Sequence, residues 1–228
     1  MVSLNKADIK RIDAAVAFYQ VKRNLFEQFA KSLVSAIELH NELPKFIHFV
    51  KYRTKDPGHL KHKLERKILD GKRTGSPFEI NESTLFERVT DLAGVRLIHL
   101  HTEQMKDVHT HLMDILDEQK YKLIEKPTAN CWDVEYEQIF TDIGIVARTR
   151  DTMYTTVHYV VESNQQTRIT CEIQVRTLMD EVWGEVSHRV NYPDTSSNES
   201  CKDQLKILAR LTTGCTRLVD SIFKTHKS

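Results

Sequence analysis

Seven lysines and arginines are contained in one 17-residue segment, KYRTKDPGHLKHKLERK, residues 51–67. Arg53 and Lys55 are two positions apart, so they share one face of the chain if it is extended just before Pro57. Lys63 and Lys67 are four positions apart on the helix predicted to follow, and they therefore share a face as well. Such a run could hold nucleotide phosphates, but taken by itself it is more often a solvated helix face.

Two acidic residues have a setting that could supply metal ligands. Asp91 comes just before the strand-like run GVRLIHL, and Glu172 lies in the alternating segment TCEIQVR. The alternation places Glu172, Gln174 and Arg176 on one face, opposite the apolar residues of the same strand. Two carboxylates from neighbouring elements are what a hydrated Mg²⁺ that bridges substrate phosphates requires of a protein. Either acid taken alone is more often an ordinary surface residue.

Other familiar chemistries lack their signatures. The chain has neither GxxxxGK nor GxGxxG, which argues against a P-loop or a dinucleotide-binding fold. Its four cysteines show no CxxC spacing, and His99 and His101 have no third ligand at a suitable distance, so zinc is not expected. A net charge of +1 argues against a protein that coats nucleic acid by bulk charge. If the protein handles phosphates, its side chains must bind them.

The hydrophobic pattern predicts the elements that position these residues. Helical spacing predicts helices over residues 4–42, 57–70, 82–87, 103–119, 177–190 and 199–223. Runs of β-branched residues predict strands over 94–100, 121–125, 154–161 and 168–175, the last two as a hairpin. We therefore expect an α/β fold of the α+β type, in which helices cover a mixed sheet. The sequence predicts an N-terminal helical extension (1–44), a central domain (45–195) and a C-terminal helix (196–228).

The N-terminus and the hydropathy predict a cytosolic location. No apolar run approaches the roughly 20 residues that span a bilayer. The start MVSLNKADIKRID lacks the apolar stretch of a signal peptide.

Three segments carry a resemblance to a known family. In this order, RVTDLAGVRLI, YTTVHYVV and CEIQVRTLMDEVWGEVSHRVNYP resemble successive motifs of the RelA/SpoT synthetase domain. The resemblance covers about residues 45–195 and includes an R-x-K-x-P segment that begins at Arg53. It implies a mixed sheet of about five strands flanked by helices and related to the nucleotidyltransferases. It also implies Mg²⁺-dependent transfer of pyrophosphate from ATP to the 3′-hydroxyl of GTP or GDP.

The resemblance also implies roles for individual residues. The donor and metal groups that match the family's motifs are Arg53, Lys55 and Lys63 for the ATP phosphates, Arg96 for stacking on adenine, and Asp91 and Glu172 for Mg²⁺. Tyr154 matches the tyrosine that stacks on the acceptor base, and His158 matches the histidine after it. Gln174 and Arg176 complete the strand that faces the site. Glu172 or a nearby water could accept the hydroxyl proton, and Gln174 could orient it.

The acceptor side departs from the family pattern. Where the family reads K-P-K-x-N-G-Y this chain reads RTRDTMY, so Arg148 and Arg150 replace lysines and Met153 replaces glycine. Glu181 stands where many members carry an asparagine that reads guanine. Its carboxylate could accept from guanine N1 and N2, or it could be a solvated helix residue. The acceptor could therefore also be an adenine nucleotide or the 3′ end of tRNA, as in toxin-like members.

A catalytically silent nucleotide-binding module is a further alternative, against which the retained acids and basic residues argue. The family's long members carry a hydrolase domain of the His-Asp type, but this chain has no His-Asp dipeptide and no hydrolysis is expected. An apolar stripe from Leu205 to Ile222, together with the resemblance to small members, predicts a homo-oligomer, with a tetramer as one form.

Overall fold

Seven strands form one mixed sheet in the part of the chain that the computed structural model describes, residues 3–149, 153–191 and 197–227. The strands are β1 (Phe49–Thr54), β2 (Ala93–His99), β3 (Lys122–Leu123), β4 (Thr128–Cys131), β5 (Val146–Thr149), β6 (Thr156–Glu162) and β7 (Thr170–Thr177). Their order across the sheet is β1-β2-β7-β6-β4-β5, and β3 also pairs with β6. The pairs β2–β7 and β4–β5 are parallel, and the remaining pairs are antiparallel.

Helices cover this sheet, as the sequence predicts. They are α1 (Lys6–Leu39), α2 (Pro57–Thr74), α3 (Leu85–Arg88), α4 (Gln104–Glu118), α5 (Val134–Asp142), α6 (Leu178–Asn191) and α7 (Glu199–Lys227), with a short 3₁₀ helix at Leu43–Phe46. The mixed sheet flanked by helices and the β6–β7 hairpin are confirmed. The strand number is seven rather than about five. Strands β1, β4 and β5 were not predicted: the residues of β1 are exposed or half-buried and do not alternate with buried ones, and β4 and β5 have four residues each, too few to show a pattern.

Helix α1 is part of the central core. It begins with a capping box, in which the Asn5 side chain accepts from the Asp8 N–H and the Asp8 carboxylate accepts from the Asn5 N–H. Its buried residues, such as Ile12 and Leu33, belong to the same hydrophobic core as Val95 of β2 and other sheet residues. The domain boundaries stay a prediction, but α1 is integrated with the sheet by this shared core.

Helix α2 has well-defined ends. The Asp56 side chain accepts from the His59 N–H at 3.1 Å, and Pro57 occupies the first turn, where its missing N–H costs no hydrogen bond. Gly75 ends the helix with φ +71°, a left-handed conformation that glycine adopts without strain. Across the described residues, no helix combines the length and the apolar character needed to cross a membrane.

Candidate active site

The polar residues of four strands lie on one face of the sheet. Paired residues of neighbouring strands point to the same side. Two rows cross the sheet in this way: Arg53–Gly94–Glu172 over β1, β2 and β7, and Lys51–Arg96–Gln174–His158 over β1, β2, β7 and β6. The intervening residues, such as Val95, Ile173 and Val175, are fully buried in the core on the other face. The alternation of polar and apolar residues therefore creates the site.

Two cavities that open to solvent meet on this face. The first, of about 650 Å³, includes Arg96, Glu172 and Gln174 in its lining. The second, of about 820 Å³, lies over the start of α2 and includes Lys55 and Lys63. Arg53, Asp91 and His188 line both cavities, which makes them one continuous cleft.

Asp91 lies between two lysines. The Nζ atoms of Lys55 and Lys63 are each 2.7 Å from one of its carboxylate oxygens. Burial by itself would raise the pKa of Asp91, but the two lysines outweigh burial and lower the pKa to about 2. Burial lowers the pKa of Lys55, and Asp91 partly offsets this effect. The cleft thus contains an ionised carboxylate with cations on both of its oxygens.

Glu172 is held by its neighbours on β6 and β7. The Gln174 Nε2 donates to Glu172 Oε1 at 2.6 Å, and the His158 Nδ1 lies 3.2 Å from Oε2. Burial by itself would raise the pKa of Glu172, but the hydrogen bonds from His158 and Gln174 outweigh it and the pKa lies below its ordinary value. Glu172 is therefore ionised and oriented toward the cleft that Asp91 also lines.

The two acids fit a divalent cation that is shared with substrate. Their side chains remain 23% and 21% exposed, and both line the first cavity. Within the described residues, no group of three or more His, Cys, Asp and Glu side chains could hold a metal by itself. Mg²⁺ is commonly bound by one or two carboxylates together with substrate phosphates, and Asp91 and Glu172 supply that number.

Glu181 does not lie in solvent. Its residue exposure is only 7%, and its Oε1 accepts from Arg96 Nη1 at 3.0 Å while its Oε2 pairs with Arg176 Nη2. The alternative that Glu181 is a solvated helix residue is therefore wrong. Glu185, one turn further along α6, pairs with the same Nη1 of Arg96. Arg96 lines the cleft, but its guanidinium is held by two carboxylates of α6.

Tyr154 lies on the other side of this cluster. Its hydroxyl accepts from Arg176 Nη1 at 3.2 Å, and the Arg176 guanidinium carbon lies 5.5 Å from the centre of its ring. The rings of Trp183 and His158 are 6.2 and 6.3 Å from that of Tyr154. Arg176 is only 3% exposed, so it is buried behind Tyr154 rather than open to solvent.

The predicted acceptor loop is only partly described. Arg148 is exposed on the edge strand β5 and pairs in register with Asn130 of β4, which pairs with Thr156 of β6. Arg148 therefore lies on the same face of the sheet as the cleft. Arg150 lies outside the described residues.

Some residues of the site have no role in the sequence predictions. Glu185 shares a helix face with Glu181, four positions earlier, and this spacing is a signal that could have found it. Tyr19 of α1 had no such signal, because it acts across 36 residues: its hydroxyl donates to the Lys55 carbonyl oxygen at 2.7 Å and lies 3.3 Å from that of Leu92. Helix α1 thereby braces the two segments that carry Lys55 and Asp91.

The class of protein that this fold and site define is an α/β domain with a cleft in which two carboxylates lie among lysines and arginines. Residues 52–197 match the family described as "Region found in RelA / SpoT proteins", and the chain belongs to this family. A comparison with curated proteins gave no match.

Solved structures share the fold. Small alarmone synthetase 1 from Bacillus subtilis, bound to its product pppGpp, has 18% identity and a TM-score of 0.62 over 92% of this chain and 99% of that chain. The same synthetase bound to AMPCPP has 18% identity and a TM-score of 0.59, over 92% and 98%. A GTP pyrophosphokinase family protein from Streptococcus pneumoniae has 24% identity and a TM-score of 0.53, over 86% and 91%.

Proposed function

We propose that this protein transfers the pyrophosphate group of ATP to the 3′-hydroxyl of GTP or GDP, releasing AMP and forming (p)ppGpp. The observation that carries the proposal is the cleft itself, in which Asp91 and Glu172 lie among Arg53, Lys55 and Lys63 in a RelA/SpoT family member. Proteins of similar fold were solved with pppGpp and with AMPCPP, which supports nucleotides as ligands of this cleft.

The basic side of the cleft is suited to the donor phosphates. Arg53, Lys55 and Lys63 line its second cavity, and the lysines can exchange part of their contact with Asp91 for phosphate oxygens. Asp91 and Glu172 are the residues that would hold Mg²⁺, and a bound Mg²⁺ would neutralise charge on the phosphates. Arg53, Lys55 and Lys63 hold the donor phosphates for in-line attack.

At phosphorus, the reaction forms one bond and breaks one. The acceptor oxygen bonds to the β-phosphorus of ATP, the bond from that phosphorus to the α–β bridging oxygen breaks, and AMP leaves with the electron pair. The hydroxyl proton goes to Glu172 or to a water, since Glu172 is ionised and Gln174 and His158 orient it. Arg53 stabilises charge on the attacked phosphoryl group.

Transfer to separate acceptors tests the proposal. The purified protein is incubated with γ-labelled ATP and Mg²⁺, and separately with GTP, GDP, unlabelled ATP or tRNA. We expect labelled pppGpp from GTP or ppGpp from GDP, with one AMP released for each product. Label that moves only to an adenine nucleotide or to tRNA would identify a toxin-like member, and no transfer to any acceptor would identify a silent binding module.

A further inference from the structure

The Glu181 carboxylate joins two arginines from different strands. Its Oε1 accepts from Arg96 of β2 at 3.0 Å, and its Oε2 pairs with Arg176 of β7. Glu181 itself comes from α6, and the side chains of Arg96, Glu181 and Arg176 are 13%, 10% and 2% exposed. The Glu181 carboxylate thus links β2, β7 and α6, and the contacts are largely shielded from water.

The two arginines belong to different halves of the site. Arg96 lines the cleft beside Glu172 and Gln174, where the proposed donor binds. Arg176 instead contacts Tyr154, through a hydrogen bond to its hydroxyl at 3.2 Å and by lying over its ring. A continuous series of contacts therefore runs from the donor cleft through Glu181 to the tyrosine on the acceptor side.

The geometry leaves Glu181 poorly placed to read a base. Both of its oxygens are already engaged by guanidinium groups, and Arg176 is held in place because Gly184 of α6 leaves room for it. A charge-assisted contact of this kind fixes the arginine planes more strongly than a neutral hydrogen bond would. The arrangement suits a group that positions other residues.

We infer that Glu181 is a positioning residue that couples the donor half of the site to the acceptor half, through Arg96 and Arg176. The inference rests on the proposed function, because the two halves are defined by the donor and acceptor nucleotides. It assigns Glu181 a role other than the direct reading of guanine.

Two isosteric variants on one helix face test the coupling. Glu181→Gln keeps the shape but weakens the contact with at least one arginine, so we expect KM to rise roughly tenfold for both ATP and the acceptor. Glu185→Gln is the matched control, because the Glu185 carboxylate forms an ion pair with Arg96, whereas that of Glu181 pairs with both Arg96 and Arg176. It should raise KM for ATP while leaving KM for the acceptor within about twofold.

A fluorescence signal provides a readout that does not need turnover. The Trp183 ring lies 6.2 Å from that of Tyr154, and Trp132→Phe removes the other tryptophan. In this background, α,β-methylene ATP should change Trp183 emission, and Glu181→Gln should abolish that change.

If a thermal melt shows that the Glu181→Gln protein does not fold, Arg176→Lys serves instead. This variant should abolish the emission change while KM for ATP stays within about twofold.

The outcomes separate the two proposals. A Glu181→Gln protein that shows a raised acceptor KM alone, with a lost preference for guanine, would mean that Glu181 reads the base, and the coupling would be overturned. An equal rise of both KM values in Glu185→Gln would overturn it as well. If the wild-type protein transfers pyrophosphate to no acceptor, the proposed function fails, while the fluorescence arm still tests the coupling.

Discussion

At the scale of single residues, Asp91 and Glu172 differ in what holds them. Asp91 is bound by two lysines and Glu172 by a glutamine and a histidine. Both acids are ionised in the cleft, since the pKa of each lies below its ordinary value. Their neighbours thus keep both carboxylates charged, which is the state that the proposed metal site requires.

Replacing either acid should remove turnover without unfolding the protein. We expect Asp91→Asn and Glu172→Gln to lower kcat by at least about 100-fold, because a group that acts in the transition state is lost. Steady-state rates at saturating Mg²⁺ measure the effect. Asp13→Asn is the control, since Asp13 is half exposed on α1 and pairs with Lys61 away from the cleft. Near-normal turnover in Asp91→Asn would contradict the metal assignment.

The proposed donor side can be tested at Lys55. The Lys55→Ala variant should bind ATP about tenfold more weakly, because a charge-assisted phosphate contact is lost. ATP binding by the wild-type protein should also fall with added salt, as screening predicts. Calorimetric titration measures both effects, with the exposed Lys61→Ala as the control. Unchanged affinity in Lys55→Ala would mean that Lys55 pairs with Asp91 and does not bind the ATP phosphates.

At the scale of elements, α6 contacts β7 through a glycine. A Cβ built on Gly184 would lie 2.5 Å from Nη1 and 3.4 Å from Cζ of Arg176. Arg176 is buried and paired with Glu181, so it cannot move aside as a surface arginine would. The position therefore requires glycine for a close approach, within a helix where alanine is ordinarily preferred.

Gly184→Ala should consequently lower stability and raise KM for the acceptor. The gain of roughly 1 kcal/mol from replacing a helical glycine is outweighed by the clash with Arg176. Gly214→Ala in α7 is the matched control, because nothing lies within 4 Å of its added Cβ. That control should be neutral or stabilising. Urea unfolding measures the stability of both variants. A stabilised Gly184→Ala protein would show that Arg176 is free to move.

The start of α6 also carries a carboxyl with a shifted pKa. Burial raises the pKa of Asp180 to about 6, although the side chain accepts from Thr177 Oγ1 at 2.6 Å and lies near Arg176. Because the pKa of Asp180 is higher in the folded than in the unfolded chain, its protonated carboxyl stabilises the fold. This stabilisation is complete below the unfolded-state pKa of 3.8 and is lost as pH rises through about 6.

Asp180→Asn should remove this pH dependence. Between pH 4 and 7, the unfolding free energy of the variant relative to wild type should rise by roughly 1 to 3 kcal/mol. Urea titrations across this range measure it, with Asp203→Asn on the exposed surface of α7 as the baseline. A difference in unfolding free energy between variant and wild type that does not change with pH would contradict the raised pKa of Asp180.

At the scale of the whole molecule, α7 leaves an apolar face uncovered. Leu205 and Ala209 are buried, whereas Leu211, Leu218 and Ile222 are 62%, 62% and 56% exposed. The predicted stripe therefore divides, with one part packed in the chain and the other facing outward. Exposed apolar residues aligned along a long helix favour association with another copy of the chain.

We accordingly predict a homo-oligomer. Light scattering at micromolar concentration should give a mass that is a multiple of 26.6 kDa. Leu218→Glu should lower that mass, because the charge would be buried in the interface, whereas the exposed Lys206→Glu serves as a control on the same helix. A single 26.6 kDa species in the wild-type protein would reject the prediction.

The sequence by itself determined the long helices, the β6–β7 hairpin and the polar face of β7. These features depend on local periodicity, which a helix or strand carries in its own residues. The placement of Glu172 and Gln174 on one face followed from alternation alone, and the family motifs connected Asp91 with them. Strand β1 was missed because none of its residues is buried, and β4 and β5 were missed because four residues carry too little pattern.

Only the tertiary structure decided which charges meet. Lys55 reaches Asp91 across 36 residues, Glu181 reaches Arg96 across 85, and Tyr19 reaches the Lys55 carbonyl from another helix. A local pattern shows on which face of its element a side chain lies, but not which residues it will contact there. The energy of a buried charge depends on the partner that chain folding brings to it, so the contacts of Glu181 and Arg176 became visible only with the packed helix α6.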